Sequence, residues 1–134
     1  MHRILVINPG TTSTKIAVYE DQTERYRESV EHPEEDLRQF SRAIEQLDFR
    51  KNCVLASLAA HGVEADSLDC IMARGGLLPP CETGAYEIND DMIAFVSAEG
   101  NLNEHISNVG CAVARAIAAP LGIPAYIYDP VVVD

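Results

Sequence analysis

An α/β domain on one mixed sheet, in the order β-β-β-α-β-α-β with helices on both faces, is the fold class this sequence predicts. Three observations predict it. Residues 3–30 hold three strand-like segments separated only by short turns. From residue 33 the apolar positions change to helical spacing. Beyond residue 68, short apolar runs alternate with helical stretches, which calls for parallel strands joined by crossovers.

After Arg3, residues 4–7 are continuously apolar, as expected of a central strand covered on both faces. Asn8-Pro9-Gly10 is a turn signal, and β-branched and apolar residues return over 15–19, so the first two strands form a hairpin closed by a Thr/Ser turn. Residues 23–30 alternate, with Tyr26, Glu28 and Val30 on one face of an outer strand. Pro33 at a first helical position, acids at 34–36, and Leu37, Phe40, Ile44 and Leu47 at helical spacing predict a helix. A second runs from Lys51 to about His61, turns Val54, Leu55 and Leu58 inward, and stops at Gly62. A strand over 68–73 leads into the loop Arg74-Gly75-Gly76-Leu77-Leu78-Pro79-Pro80. Asn89 caps a short helix containing Met92, Ile93 and Val96. Ile106, Val109, Val113 and Ile117 form the inner face of a longer helix ending before Gly122 and Pro124, with Pro120 expected to end or kink it early. The last strand, 125–128, delivers Asp129. A three-strand meander followed by helix-linked strands matches the ribonuclease H-like lobe shared by actin and the sugar kinases.

The 134 residues fit one domain. A net charge of −11, with 21 acids against 10 bases, argues against nucleic acid and anionic membranes as partners. It leaves nucleotides open, because backbone N–H groups and one lysine can hold a few phosphates. No apolar stretch approaches a membrane span, and the run after Met1-His2-Arg3 is too short for a signal-peptide core, so a cytoplasmic protein is expected. Cys53, Cys70, Cys81 and Cys111 lack metal-ligand spacing and read as free thiols.

The chemistry concentrates in the first turn. Gly10 lets the backbone approach an anion and reach positive φ, Thr11 to Thr14 offer hydroxyls and amides, and Lys15 adds a charge. The pattern is neither a Walker A loop nor a dinucleotide fingerprint. On residue chemistry alone, a phosphate cradle and an ordinary Ser/Thr hairpin fit equally. Asn8 could hold a metal-bound water or a substrate oxygen, or simply cap its own turn. Arg74, leaving the carboxyl end of a strand, could clamp a carboxylate or phosphate, or form a surface ion pair. His105 could donate to developing negative charge or finish a helix end. Asp129 could bind Mg2+ or orient a nucleophile, or be a plain turn residue. His2, His32 and His61 read as surface or capping residues without a role.

The string Leu5-Val6-Ile7-Asn8-Pro9-Gly10-Thr11-Thr12-Ser13-Thr14-Lys15 resembles the opening motif of the acetate/butyrate kinase family. Arg74-Gly75-Gly76-Leu77-Leu78-Pro79, Glu104-His105-Ile106-Ser107-Asn108 and the run from Gly122 to Asp134 resemble later segments of its butyrate-using branch, in the same order. The resemblance implies transfer of the ATP γ-phosphoryl group to butyrate or a related short-chain carboxylate, with ATP and Mg2+ as cofactors. It implies catalytic roles for Asn8, Arg74 and Asp129, with Asn8 and Asp129 near the metal. Gly10, Thr11, Ser13 and Lys15 take the phosphate side and His105 the substrate side, while Pro9, Thr12 and Thr14 shape the turn. Arg74 stands where acetate kinases have a histidine; their functional arginine falls at Ile71. Family members have two lobes, so residues 1–134 are expected to form the amino-terminal lobe, with the second lobe absent. Alone, the chain is expected to turn over poorly. The parent is expected to pair with that second lobe or a homo-oligomeric copy.

Overall fold

The computed structural model describes residues 2–74, 86–88 and 107–128, with the backbone alone at 74, 86, 87, 107, 108 and 128. β1 (Arg3–Pro9), β2 (Ser13–Glu20) and β3 (Thr23–Glu31) form the expected antiparallel meander. The register sets Ile7 opposite Ile16 and Leu5 opposite Val18. Side chains alternate across a strand, so these four residues share one face, where all are buried. Ile4, Val6 and Asn8 lie on the other face of β1 and are half-buried. In β3, Tyr26, Glu28 and Val30 are the half-buried positions, as their alternation predicts.

β4 (Cys70–Arg74) and β6 (Ala125–Tyr128) add in parallel, and the two-residue β5 (Tyr86–Glu87) closes the edge antiparallel to β6. The sheet runs β3-β2-β1-β4-β6-β5. The residues give no sign of β5, because two positions are too few to show a period.

α2 (Leu47–Ala60) and α3 (Ser107–Leu121) pack on each other, α2 also against β2 and α3 against β1, β4 and β6. Val54, Leu58, Val109, Val113 and Ile117 meet Leu5, Ile7, Ile16, Val18, Ile71 and Ala73 in one core. Leu55 packs partly buried at its margin. No described helix is long and apolar enough to cross a membrane.

Two helical expectations need correction. The spacing of Leu37, Phe40, Ile44 and Leu47 predicts one helix, but α1 (Glu34–Leu37) lasts a single turn. The chain leaves the helix, Arg42 is extended, and a 3-10 turn (Ala43–Gln46) leads into α2, which begins a turn before Lys51. Ser41 supplies the reason: its backbone N–H and hydroxyl both donate to the Glu45 carboxylate, at 3.0 and 3.2 Å. That local cap competes with helix continuation and holds the Glu45 pKa below its usual range.

Pro120 does not end α3 early: it sits within the helix, which reaches Leu121, just before Gly122 as expected. In the last turn a missing N–H removes one bond only. The stop comes from Gly122 at φ 70°, with its N–H on Ala119 O and the Ile123 N–H on Ala118 O. α2 ends the same way: Gly62 has φ 72°, its N–H reaches Ala59 O, and the Val63 N–H reaches Leu58 O. Both are six-residue C-caps that need a left-handed glycine.

Cys53 and Cys70 are half-buried free thiols and Cys111 is buried. The loop after Arg74, Cys81, the helix expected after Asn89, and Ile106 lie outside the described residues.

Candidate functional site

The two ends of β1 use their polar groups differently. At the amino end Arg3 is fully engaged: its guanidinium contacts Glu20 and Ser67 Oγ, and its backbone N–H donates to Asp69 Oδ2 at 2.7 Å. At the carboxyl end Asn8 and Lys15 face each other across the hairpin, on the sheet face opposite the core. Among the described residues neither side chain has a hydrogen-bond or ion-pair partner. Both line a cleft of about 270 Å³ that continues past Val6, Ala17 and Tyr19 to Arg27.

Between them the turn is tight. The Gly10 N–H donates to Ser13 O at 2.8 Å, which fixes the hairpin end. Gly10 does not use positive φ, contrary to one reason offered for it. Its second reason, close approach, holds within the turn itself: a Cβ there would sit 3.0 Å from Ser13 Oγ. Thr11 and Thr12 are exposed and Ser13 is half-exposed. Among the described residues, the N–H groups of Thr11 and Thr12 have no acceptor.

The reverse side of this turn is held by Thr14, expected to shape it, and by two residues given no role from the sequence, Arg50 and His32. Arg50, in the first turn of α2, is 0% exposed. Its Nη1 donates to Ser13 O at 2.7 Å and Thr14 Oγ at 3.1 Å, its Nη2 to Thr11 O at 3.2 Å, and its Nε to Gln46 Oε1 at 2.8 Å. Thr14, also 0% exposed, is 2.8 Å from His32 Nε2, and the His32 N–H donates to Thr12 O at 2.8 Å. Since Arg50 only donates, Thr14 Oγ accepts from it and can pass its own proton to His32 Nε2. That order requires a neutral His32 protonated on Nδ1. Burial first, then the Arg50 charge, pushes the His32 pKa down, in keeping with the neutral form.

His32 is therefore no surface residue: at 6% exposure it lies edge-on to Phe49 and braces the turn. His61 is the exposed capping residue expected, at the carboxyl end of α2, and its ring stacks on Tyr26 at 3.8 Å between ring centres. One signal could have exposed Arg50. It lies four residues before Val54 and eight before Leu58, on the core stripe of α2. Starting that helix at Lys51 hides the pattern.

The expected site residues thus divide. Asn8, Gly10, Thr11, Ser13 and Lys15 come together on one hairpin end. Arg74 is the last residue of β4; Ile7 pairs with Ala73 and Arg74 with Tyr128, so its backbone lies along the same carboxyl edge. Ile71 is 0% exposed in the core, so an arginine at that position would face away from this edge. The Arg74 side chain, His105 and Asp129 lie outside the described residues. So does any metal set they would complete; among the described residues no three His, Cys, Asp or Glu side chains cluster as ligands.

No family model matches the chain. Individual relatives do. Butyrate kinase 1 of Clostridium acetobutylicum is 41% identical over all 134 residues, and probable butyrate kinase 2 of Caldanaerobacter subterraneus is 44% identical over the same span. Along all 134 residues the chain is similar to butyrate kinases. It spans 38% of the length of each of these two butyrate kinases. The fold has more distant counterparts. YeaZ from Pseudomonas aeruginosa superposes with a TM-score of 0.52 at 14% identity, over 96% of this chain and 44% of that one. Thermus thermophilus RuvC, solved with a Holliday junction substrate, gives 0.52 at 17% identity, over 97% and 66%. At such identities the likeness concerns the fold alone. The expected ribonuclease H-like sheet is the fold on which this chain is built.

Proposed function

We propose that this chain is the phosphate-cradling lobe of a carboxylate kinase, in which a short-chain carboxylate such as butyrate attacks the γ-phosphorus of ATP, ADP leaves, and an acyl phosphate forms. The observation that carries this reading is the pairing of a rear-braced turn with unpartnered polar groups in front. Among the described residues Thr11 and Thr12 N–H, the Lys15 ammonium and the Asn8 amide have no partner, while the same end of the sheet spends Arg50, Thr14 and His32 on holding the backbone still. Fixed donors aimed at phosphate oxygens suit phosphoryl transfer, where catalysis is mainly positioning and charge neutralisation.

The residues present fit ATP. Backbone N–H groups and one lysine are sufficient donors for terminal phosphates. They also fit Mg2+, which takes one or two protein oxygens and completes its shell with phosphates and water. Asn8 Oδ1 is the described candidate, and Asp129 the second by resemblance. When bound, Mg2+ would neutralise phosphate charge. Lys15 would hold the β/γ-phosphate side, Arg74 the carboxylate or transferring group, and His105 the substrate. A cytoplasmic setting, and completion of the cleft by a second lobe or a homo-oligomeric copy, belong to the same proposal.

A second reading, a phosphate- or nucleotide-binding lobe without catalysis of its own, is favoured by the fixed donors of the turn, which serve binding as well as transfer. Calorimetry with ATP–Mg2+, run beside hydroxamate trapping of acyl phosphate from ATP and butyrate, separates the two. Lys15 is exposed and unpartnered, so Lys15→Met should weaken ATP–Mg2+ by about tenfold or more, the worth of one charge-assisted hydrogen bond, without loss of fold. Binding without acyl phosphate selects the second reading. No ATP binding by the wild-type chain overturns both.

A further inference from the structure

Arg50 has no place yet in the chemistry. Its guanidinium is buried, and its acceptors are Gln46 Oε1, two backbone carbonyls and a hydroxyl, all neutral. Among the described residues it forms no ion pair. An arginine keeps its charge in a protein, and a buried charge without an ionised partner is costly. The carbonyl dipoles of Thr11 and Ser13 solvate the cation but leave its net charge unbalanced.

A counter-charge can act from the other side of the same peptides. In a trans peptide the C=O and the following N–H point in opposite directions. Thr11 O accepts from Arg50, so the Thr12 N–H points away from the buried guanidinium. Thr12 O accepts from the His32 N–H, so the Ser13 N–H points away from β3. Donation to a carbonyl polarises its peptide and strengthens the N–H on the far side. The exposed Thr12 N–H, unpartnered among the described residues, is therefore both oriented and strengthened from behind.

We propose that Arg50 is the positioning residue of the anion site: a buried charge that sets the Thr11–Thr12 peptide with its N–H outward, and whose counter-charge is the phosphoryl group bound in front of it. The inference rests on reading this turn as a phosphate cradle. It extends that reading to a second layer that never touches the ligand.

The test is inorganic phosphate binding by the 134-residue chain, measured calorimetrically for wild type, Arg50→Met and Arg50→Lys, with far-UV circular dichroism and melting temperature recorded for each. Arg50→Met removes charge and fork, and should weaken phosphate by about tenfold or more. Arg50→Lys keeps the charge but loses the fork, and should weaken it by about three- to tenfold. That partial rescue by charge is what a merely structural arginine would not give. Should Arg50→Met not fold, Arg50→Lys carries the test. Folded variants that bind phosphate as wild type does, whatever their melting temperatures, overturn this inference alone. A wild-type chain that binds no phosphate overturns it together with the function beneath it.

Discussion

Thr14 shows how much one residue of the turn decides. Its hydroxyl sits between Arg50 Nη1 and His32 Nε2, with no exposure, so a single Oγ couples a helix to the strand end after β3. The coupling has a pH signature. The folded His32 pKa lies below 6.5, through burial and Arg50, with Glu31 and Asp36 opposing more weakly. As pH falls below 6.5 the unfolded chain takes up a proton that the folded chain refuses, so stability falls with pH until the folded pKa is reached. For one such group the slope is at most about 1.4 kcal/mol per pH unit. Melting temperature against pH for wild type and His32→Gln should converge on acidification below 6.5. Parallel curves would contradict a neutral, buried His32. At this scale the tight hairpin end was legible, because Asn8-Pro9-Gly10 and the hydroxyl residues after it mark a turn. The brace was not. Arg50, Thr14 and His32 are separated in sequence, and only the packing of α2 against the meander brings them together.

Glycines separate elements from site. Gly122 and Gly62 end α3 and α2 at φ 70° and 72°, with open space where a Cβ would stand. Alanine at either therefore meets only backbone strain, about 1 kcal/mol, and should lower the melting temperature without changing phosphate affinity. Gly10 is the reverse case: a Cβ would press on Ser13 Oγ at 3.0 Å, so Gly10→Ala should weaken phosphate more than it lowers stability. Equal effects of the Gly10 and Gly122 substitutions on both measurements would contradict this division. Strands and helix ends were the legible part of the fold, since alternation, Gly62 and Gly122 act locally. The break after α1 was not, because the Ser41–Glu45 cap overrides an apolar spacing that reads as continuous helix. Pro120 misled for the same kind of reason: position within the helix, rather than residue type, sets what a proline costs.

At the scale of the molecule, the two ends of the sheet differ, and the ligand is proposed to bind at the second. Arg3, Glu20, Ser67 and Asp69 close the first with their own contacts. The second gathers the carboxyl ends of β1, β4 and β6, where open α/β sheets place ligands, and leaves Asn8 and Lys15 unpartnered among the described residues. The proposed phosphate cradle gives that asymmetry a chemical meaning, and nucleotide binding at this edge is the property that tests it. Backbone amide shifts of the 15N-labelled chain during an ATP–Mg2+ titration measure it directly. Thr11, Thr12, Ser13 and Lys15 should move with one saturating isotherm, while Glu20, Asp21 and Ser67 at the far end stay still. Saturating binding that leaves the Thr11–Lys15 amides unmoved would contradict the phosphate cradle.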